Sequence, residues 1–498
     1  MFLIPFILTA FFFIVILIIA GWGLRRTSDV HDFFLGGRTL GAWFLAFSYG
    51  TAYFSAVIFV GFAGKFGWQF GLDSLWVGLG NAIIGSGLAW LILGKRTRRM
   101  THNLNVKTMP EFFAARYETN GMKIITALII FIFLAPYSAS VFTGLSYLFE
   151  IVFERRVSFT VVLTCISLVS FVYVTCGGYK AIARIDFIQG MIMFGGSVLM
   201  VYVVAKNYGG MTAAASEISN KLSEKVLSGE IKSPAWYVLP SVVFMTSFGV
   251  WGLPQMVHKY YAIRDENEIK RGALITTIFA LVIGCAAYFT GAMTHLMSSD
   301  KIPKTGSGGI NFDQLVPDLL ASHLPQVLLA VILLLVLSAS LSTLSSLVLV
   351  SSSAVTIDLY KGYVNPSVSS KGELLLMRLL CGVFILISYL IALFKPGWIV
   401  SLMSISWGAV AGSFLAPYLY GLFWKRTTKL GAYSGMWCGL VISNSLYWYW
   451  FFTESPMDAG AKAPLAASIA MIIPMAVVPI VSLITPPPKA ETIQKAFS

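Results

Sequence analysis

The chain has 498 residues, of which 57% are hydrophobic and 11% charged, with a formal net charge of +13. Soluble domains carry about 25% charged residues, so this composition excludes a water-soluble globular fold and indicates a polytopic membrane protein. The excess of Lys and Arg reads as topology signal and not as a nucleic-acid surface, because it collects in short segments between apolar runs.

Apolar runs of spanning length, about 20 residues or more, fall at 2–22, 40–64, 72–94, 122–150, 157–178, 184–206, 235–258, 272–297, 326–360, 373–395, 397–423, 430–452 and 462–485. They predict an all-α membrane protein with about thirteen transmembrane helices. The first run has no small-residue cleavage site before Arg25-Arg26, so it is expected to be a retained helix and not a signal peptide. With the N-terminus outside, most of the 35 Lys and Arg fall on the inner side. They include Lys95, Arg96, Arg98 and Arg99, then Lys259, Arg264, Lys270 and Arg271, then Lys425, Arg426 and Lys429. The expectation is a multi-pass plasma (inner) membrane protein with a cytoplasmic C-terminus. The five cysteines lie inside helices without metal-ligand spacing and read as small packing residues.

After the first helix, Gly36, Gly37 and Gly41 mark a sharp turn; no strand precedes them, so phosphate binding is a poor reading. The second span carries Ser48, Gly50, Thr51 and Ser55 near mid-membrane depth. Either the helix breaks there and exposes carbonyls to a cavity or an ion, or Gly50 permits close packing. The segment 95–119 reads as a polar inner-surface loop with Pro110. Pro136 interrupts the fourth span beside Tyr137, which is either a packing residue or a ligand contact. Asp186 enters the sixth span, where it favours the helix dipole or meets an ion or partner; Arg184 competes as that partner, but i and i+2 do not face each other. The seventh span carries Thr246, Gly249, Trp251, Gly252, Pro254 and Gln255, a second break at comparable depth. Interrupted spans at corresponding places in two halves point to a transporter site built from inverted repeats.

The ninth span has hydroxyls where a membrane helix ordinarily has leucines: Ser338, Ser340, Ser342, Thr343, Ser345 and Ser346. Ser342, Ser345 and Ser346 share one helical face, with Thr343 beside them. Such oxygens either mediate close helix packing or ligate a hard cation. No channel filter or nucleotide-binding loop is visible, so neither conduction nor ATP-driven transport has a basis, and an enzyme is not expected.

At 36–41, 177–189, Gly252-Leu253-Pro254-Gln255 and 342–360 the chain resembles the sodium:solute symporter family, over nearly its full length. The resemblance implies two inverted five-helix repeats, 40–206 and 235–423, preceded by an extra helix and inner loop at 1–39 and followed by two extra helices and a tail at 424–498. It implies sodium as the coupling ion, held by the carbonyls of Thr51, Phe54 and Ala339 and the hydroxyls of Ser342 and Thr343. It further implies a second sodium held by Asp186, Ser342, Ser345 and Ser346, as in some members. Candidate solute contacts are Tyr53, Tyr137, Thr246, Trp251 and Gln255.

Segments of the chain look like the sodium/pantothenate branch and others like the sodium/proline branch. Proline carriers have an aspartate where Tyr53 stands and a tryptophan at the position of Thr246, which argues against assigning proline. The expected partners are sodium, the lipid bilayer and a small solute, an amino acid or small carboxylate, with no nucleic acid and no obligate protein partner. The alternatives are a sodium/sugar-type symporter and a non-pumping membrane solute sensor.

Overall fold

A computed structural model describes every residue except 1–2, 25–29, 36–39, 232, 306–307 and 395–396. Arg25, Arg26 and the glycine turn at Gly36 and Gly37 lie outside the described residues. Among the described residues the regular structure is helical, with isolated bridges only at Leu40–Ile263 and Lys304–Ile310.

The helices, in chain order, begin with α1 (Leu3–Leu24), α2 (Val30–Leu35), α3 (Ala42–Tyr53), α4 (Ala63–Phe70), α5 (Leu75–Gly80), α6 (Ala89–Asn103) and α7 (Met109–Tyr117). Next come α8 (Asn120–Val152), α9 (Phe159–Lys206), α10 (Met211–Leu227), α11 (Val238–Gly249), α12 (Pro254–Tyr261) and α13 (Asn267–Ala292). The chain closes with α14 (Phe312–His323), α15 (Gln326–Ser353), α16 (Ser370–Phe394), α17 (Ile399–Phe423), α18 (Lys429–Thr453), α19 (Pro456–Ile484) and α20 (Ala490–Phe497). π-Helical turns lead into α4 (Val57–Phe62), join α5 to α6 (Asn81–Leu88) and extend α15 (Ala354–Val364).

Ten helical stretches among the described residues are long and apolar enough to cross a membrane. Three of the thirteen expected spans do not stand among them: the second and seventh divide, leaving α3, α11 and α12 with 12, 12 and 8 residues, and the twelfth, α18, is 25 residues long but rich in Ser, Gly and aromatic residues. The fifth and sixth spans run into each other as α9, turning at Gly178, whose φ of 63° only glycine adopts without strain. At Pro136 α8 continues through the proline, an arrangement that neighbouring helices make tolerable in a membrane protein.

The expected loop at 95–119 is instead mostly helical. Thr108 caps α7 by accepting from the Glu111 N–H at 3.1 Å, and the Glu111 carboxylate accepts from the Lys107 N–H at 2.8 Å. Threonine, proline and glutamate in that order form a helix start, and this signal outweighs the polarity of the segment.

The interior is organised around α15. Every residue from 338 to 353 is buried, so this part of the helix has no solvent- or lipid-facing stripe and its serines face other helices on all sides. It packs against α1, α3, α8, α9 and α16. Both broken helices are tied at one end, where the Leu40 carbonyl accepts from the Arg264 N–H at 3.2 Å and the Glu268 carboxylate accepts from the Ala42 N–H at 2.8 Å.

Candidate functional site

The α3 helix stops at Tyr53 because Phe54 turns extended, at φ −103° and ψ 129°. The freed carbonyls face α15. There the Thr343 hydroxyl lies 3.1 Å from the Ala52 carbonyl, 3.4 Å from that of Thr51 and 3.0 Å from that of Ala339. One hydroxyl has one proton to donate, so the freed carbonyls of Thr51 and Ala52 compete for it, while that of Ala339 already serves the α15 backbone. Ser342 Oγ is 2.7 Å from Thr51 Oγ1, and Ser340 Oγ accepts from the Ala56 N–H at 3.1 Å just past the break. Thr51, Ala339, Ser342 and Thr343 thus come together in space, with Phe54 at the break itself. Ala52, whose carbonyl is nearer Thr343 than that of Thr51, had no signal beyond its place in the interrupted span.

A second cluster lies toward α9. The Ser48 hydroxyl donates to Asp186 Oδ2 at 2.5 Å, Asp186 is fully buried, and its other oxygen has no hydrogen-bond partner among the described residues. The Ser342 side chain also faces the carboxylate, and the Ser345 hydroxyl donates to the Ser342 carbonyl at 2.8 Å. Arg184 points elsewhere, stacking over the Trp22 ring at 4.3 Å, so it does not neutralise Asp186. Lys259 does approach: its ammonium donates to Ser48 Oγ at 2.8 Å and to Ser346 Oγ at 3.1 Å, and the residue is 1% exposed.

Lys259 was expected among the surface anchors; that expectation is corrected here. The division of the seventh span displaces α12 inward and carries Lys259 into the core. Its neighbours Tyr260 and Tyr261, both buried, were the available signal, since a topology anchor ordinarily stands among polar residues. Gln189, one turn beyond Asp186, is also fully buried, and neither of its amide atoms has a partner among the described residues.

The candidate solute contacts separate into two groups. Tyr53 donates its hydroxyl to the Thr246 carbonyl at 2.6 Å, joining the two broken helices, while the Thr246 hydroxyl donates within its own helix to Val242 at 2.8 Å. The Trp251 indole N–H donates to the Ile84 carbonyl at 3.1 Å. These three side chains already have partners. Tyr137 faces Ser55 and stands edge-on to Trp407, with ring centroids 5.8 Å apart. Gln255, in the first turn of α12, and Trp407, on α17, each keep a buried polar atom without a partner among the described residues. A side chain at Gly249 would come within 2.9 Å of the Trp407 ring, so the end of α11 and Trp407 face each other directly. Trp407 was not singled out from sequence, since a lone tryptophan in an apolar run is ordinarily core.

The chain is similar to known proteins over most of its length. The proline transporter OpuE of Bacillus subtilis (strain 168) is 29% identical over 488 residues, covering 96% of this chain and 94% of that protein. The sodium/proline symporter of Escherichia coli (strain K12) is 26% identical, covering 87% and 86% of the two chains. Among solved structures, an outward-open, substrate-bound Na+-coupled sialic acid symporter superposes with a TM-score of 0.72 at 18% identity, covering 98% of each chain; this establishes a common fold. The model of the sodium:solute symporter family matches residues 33–439, more than half of the chain, and the protein belongs to that family.

Proposed function

We propose that this sodium-coupled symporter imports a small amino acid or small carboxylate, with sodium bound where the break in α3 meets α15. One observation carries this: the carbonyls of Thr51, Ala52 and Ala339 crowd the single hydroxyl of Thr343. Such an oxygen-rich, uncharged pocket suits a monovalent hard cation, which needs little formal charge around it. The ligand set is Thr51, Phe54, Ala339, Ser342 and Thr343. Asp186, Ser342, Ser345 and Ser346 form a second cation-binding cluster beside it.

The core is two inverted repeats, 40–206 and 235–423, flanked by the segments 1–39 and 424–498, and the C-terminus is cytoplasmic. Sodium binding fastens the open carbonyls of α3 to α15 and so favours the conformation in which the adjoining solute site is formed. Each positive charge that moves inward across 100 mV supplies about 2.3 kcal/mol toward solute accumulation. Solute contacts fall to Tyr137 and Gln255, joined by Trp407, while Tyr53, Thr246 and Trp251 hold the two breaks in register.

The test is uptake into proteoliposomes under an imposed sodium gradient, across a panel of amino acids and carboxylates that includes L-proline. Saturable uptake that follows the sodium gradient is expected. Uptake indifferent to sodium would sink the assignment.

A further inference from the structure

The second cluster already contains a cation. Lys259 reaches it from α12, and Ser346, one of the proposed ligand oxygens, accepts a hydrogen bond from its ammonium at 3.1 Å. Ser48 accepts a second at 2.8 Å and passes its own proton toward Asp186 Oδ2 at 2.5 Å, so ammonium, hydroxyl and carboxylate form one chain. On a third side the Tyr179 ring lies 5.3 Å from the nitrogen, within the range of a cation–π contact. An ammonium has three donors and no acceptor; two of the donors meet hydroxyl oxygens, and the Tyr179 ring faces the charge on a third side.

Sodium and ammonium carry the same charge and both take oxygen ligands. Lys259, Asp186, Ser48, Ser342 and Ser345 are each no more than 1% exposed. A single carboxylate in such an interior balances one positive charge; a second one beside it would be buried without compensation.

We infer that Lys259 is a tethered cation that occupies the Asp186 cluster in place of a second sodium, so that one sodium accompanies each solute. The inference rests on the cation-cluster reading above and departs from the two-sodium expectation drawn from resemblance. Attachment to α12 also means that the charge does not leave with the solute. The second cluster then serves to hold α3, α9, α12 and α15 together through a charge that is never released.

The test uses radioactive sodium alone, bound to the purified full-length protein at saturation, so no solute need be known. The wild type is expected to bind one sodium per protein. Lys259→Met is expected to bind two, and the double variant Lys259→Met/Asp186→Asn is expected to return to one. A wild type that binds two sodium ions would overturn the tethered-cation inference, and this measurement does not depend on any variant folding. A folded Lys259→Met that still binds one would also overturn it. If the wild type bound none, the α3–α15 sodium site would fail instead; a gain from none to one in Lys259→Met would then still support the inference, and no gain would overturn it.

Discussion

The break in α3 is closed by side chains from α15, whereas the break between α11 and α12 leaves side-chain polar atoms open. At the first, Thr343 reaches the carbonyls of Thr51 and Ala52, and Ser340 takes the N–H of Ala56. At the second, the backbone turns on itself, with Trp251 donating to Phe248 and Gly252 to Gly249, each at 3.0 Å. What stays without a partner there, among the described residues, is the Gln255 side-chain oxygen and, across on α17, the Trp407 indole N–H. An ion brings only charge and needs oxygens already in place; an organic solute brings its own donors and acceptors and needs buried groups left free to meet them. The two breaks therefore differ in what they are prepared to receive, although both interrupt a membrane helix.

Removing the charge on which the ion side depends should have the largest effect. Asp186→Leu leaves the Lys259 ammonium buried without its carboxylate, a change that costs about 3–5 kcal/mol when one partner of a buried pair is deleted. The expected result is a large drop in thermal stability of the detergent-solubilised protein. Adding Lys259→Met to the same chain should recover most of that loss, because neither charge then remains. Failure of the second substitution to rescue the first would show that the two residues are not coupled.

Thr343→Ala probes the α3 break directly. Deleting the hydroxyl removes one ion ligand while the three carbonyls stay, so the sodium concentration for half-maximal uptake should rise about tenfold, equivalent to about 1.4 kcal/mol. Solute KM at saturating sodium should change little. An equal change in both would mean that the two breaks are not separable in function.

Tyr53→Phe should have a smaller effect and of another kind. The lost hydrogen bond to the Thr246 carbonyl is neutral and buried, worth about 1 kcal/mol net. Since that bond spans the two breaks, the substitution should lower thermal stability by a few degrees and leave the order of preference among solutes unchanged. A changed order would return Tyr53 to the list of solute contacts.

Much of this arrangement was legible in the sequence because its causes are local. The glycine and proline cluster at 249–254 announced the second break, Gly50 and its hydroxyl neighbours left the first as a break or a close packing, apolar length announced the spans, and the hydroxyls on α15 offered either packing or a cation. The α7 start was equally local but was outweighed by the polarity around it. What could not be read was any consequence of one break for another helix. Lys259 follows an apolar run and precedes a basic loop, the ordinary place for a surface anchor, and only the inward displacement of α12 makes it a core residue. Trp407 likewise gains its meaning from Gly249 and Tyr137, distant in sequence and brought together by packing.

The smallest effect should come a few residues beyond Lys259, where the same connection emerges at the surface and charge pairs are exposed. Glu266 forms ion pairs with Arg99 and, at 3.3 Å, with Lys95; the side chains of Arg99 and Glu266 are 52% and 27% exposed. The Arg99 guanidinium, hydrogen-bonded to the Glu266 carboxylate, holds its pKa below the ordinary value of 4.5 against a weaker opposing push from burial. A lowered carboxylate pKa contributes stability that is present above the unfolded-state value and lost as pH falls through the folded-state value. Any loss should therefore appear only below about pH 4.5, and solvent screening limits it to about 1 kcal/mol or less. Glu266→Gln at neutral pH should shift the thermal midpoint slightly and only at low salt, with uptake unchanged. A shift as large as that of Asp186→Leu would mean that the exposed pairs, and not the buried Lys259 chain, hold the α12–α13 connection in place.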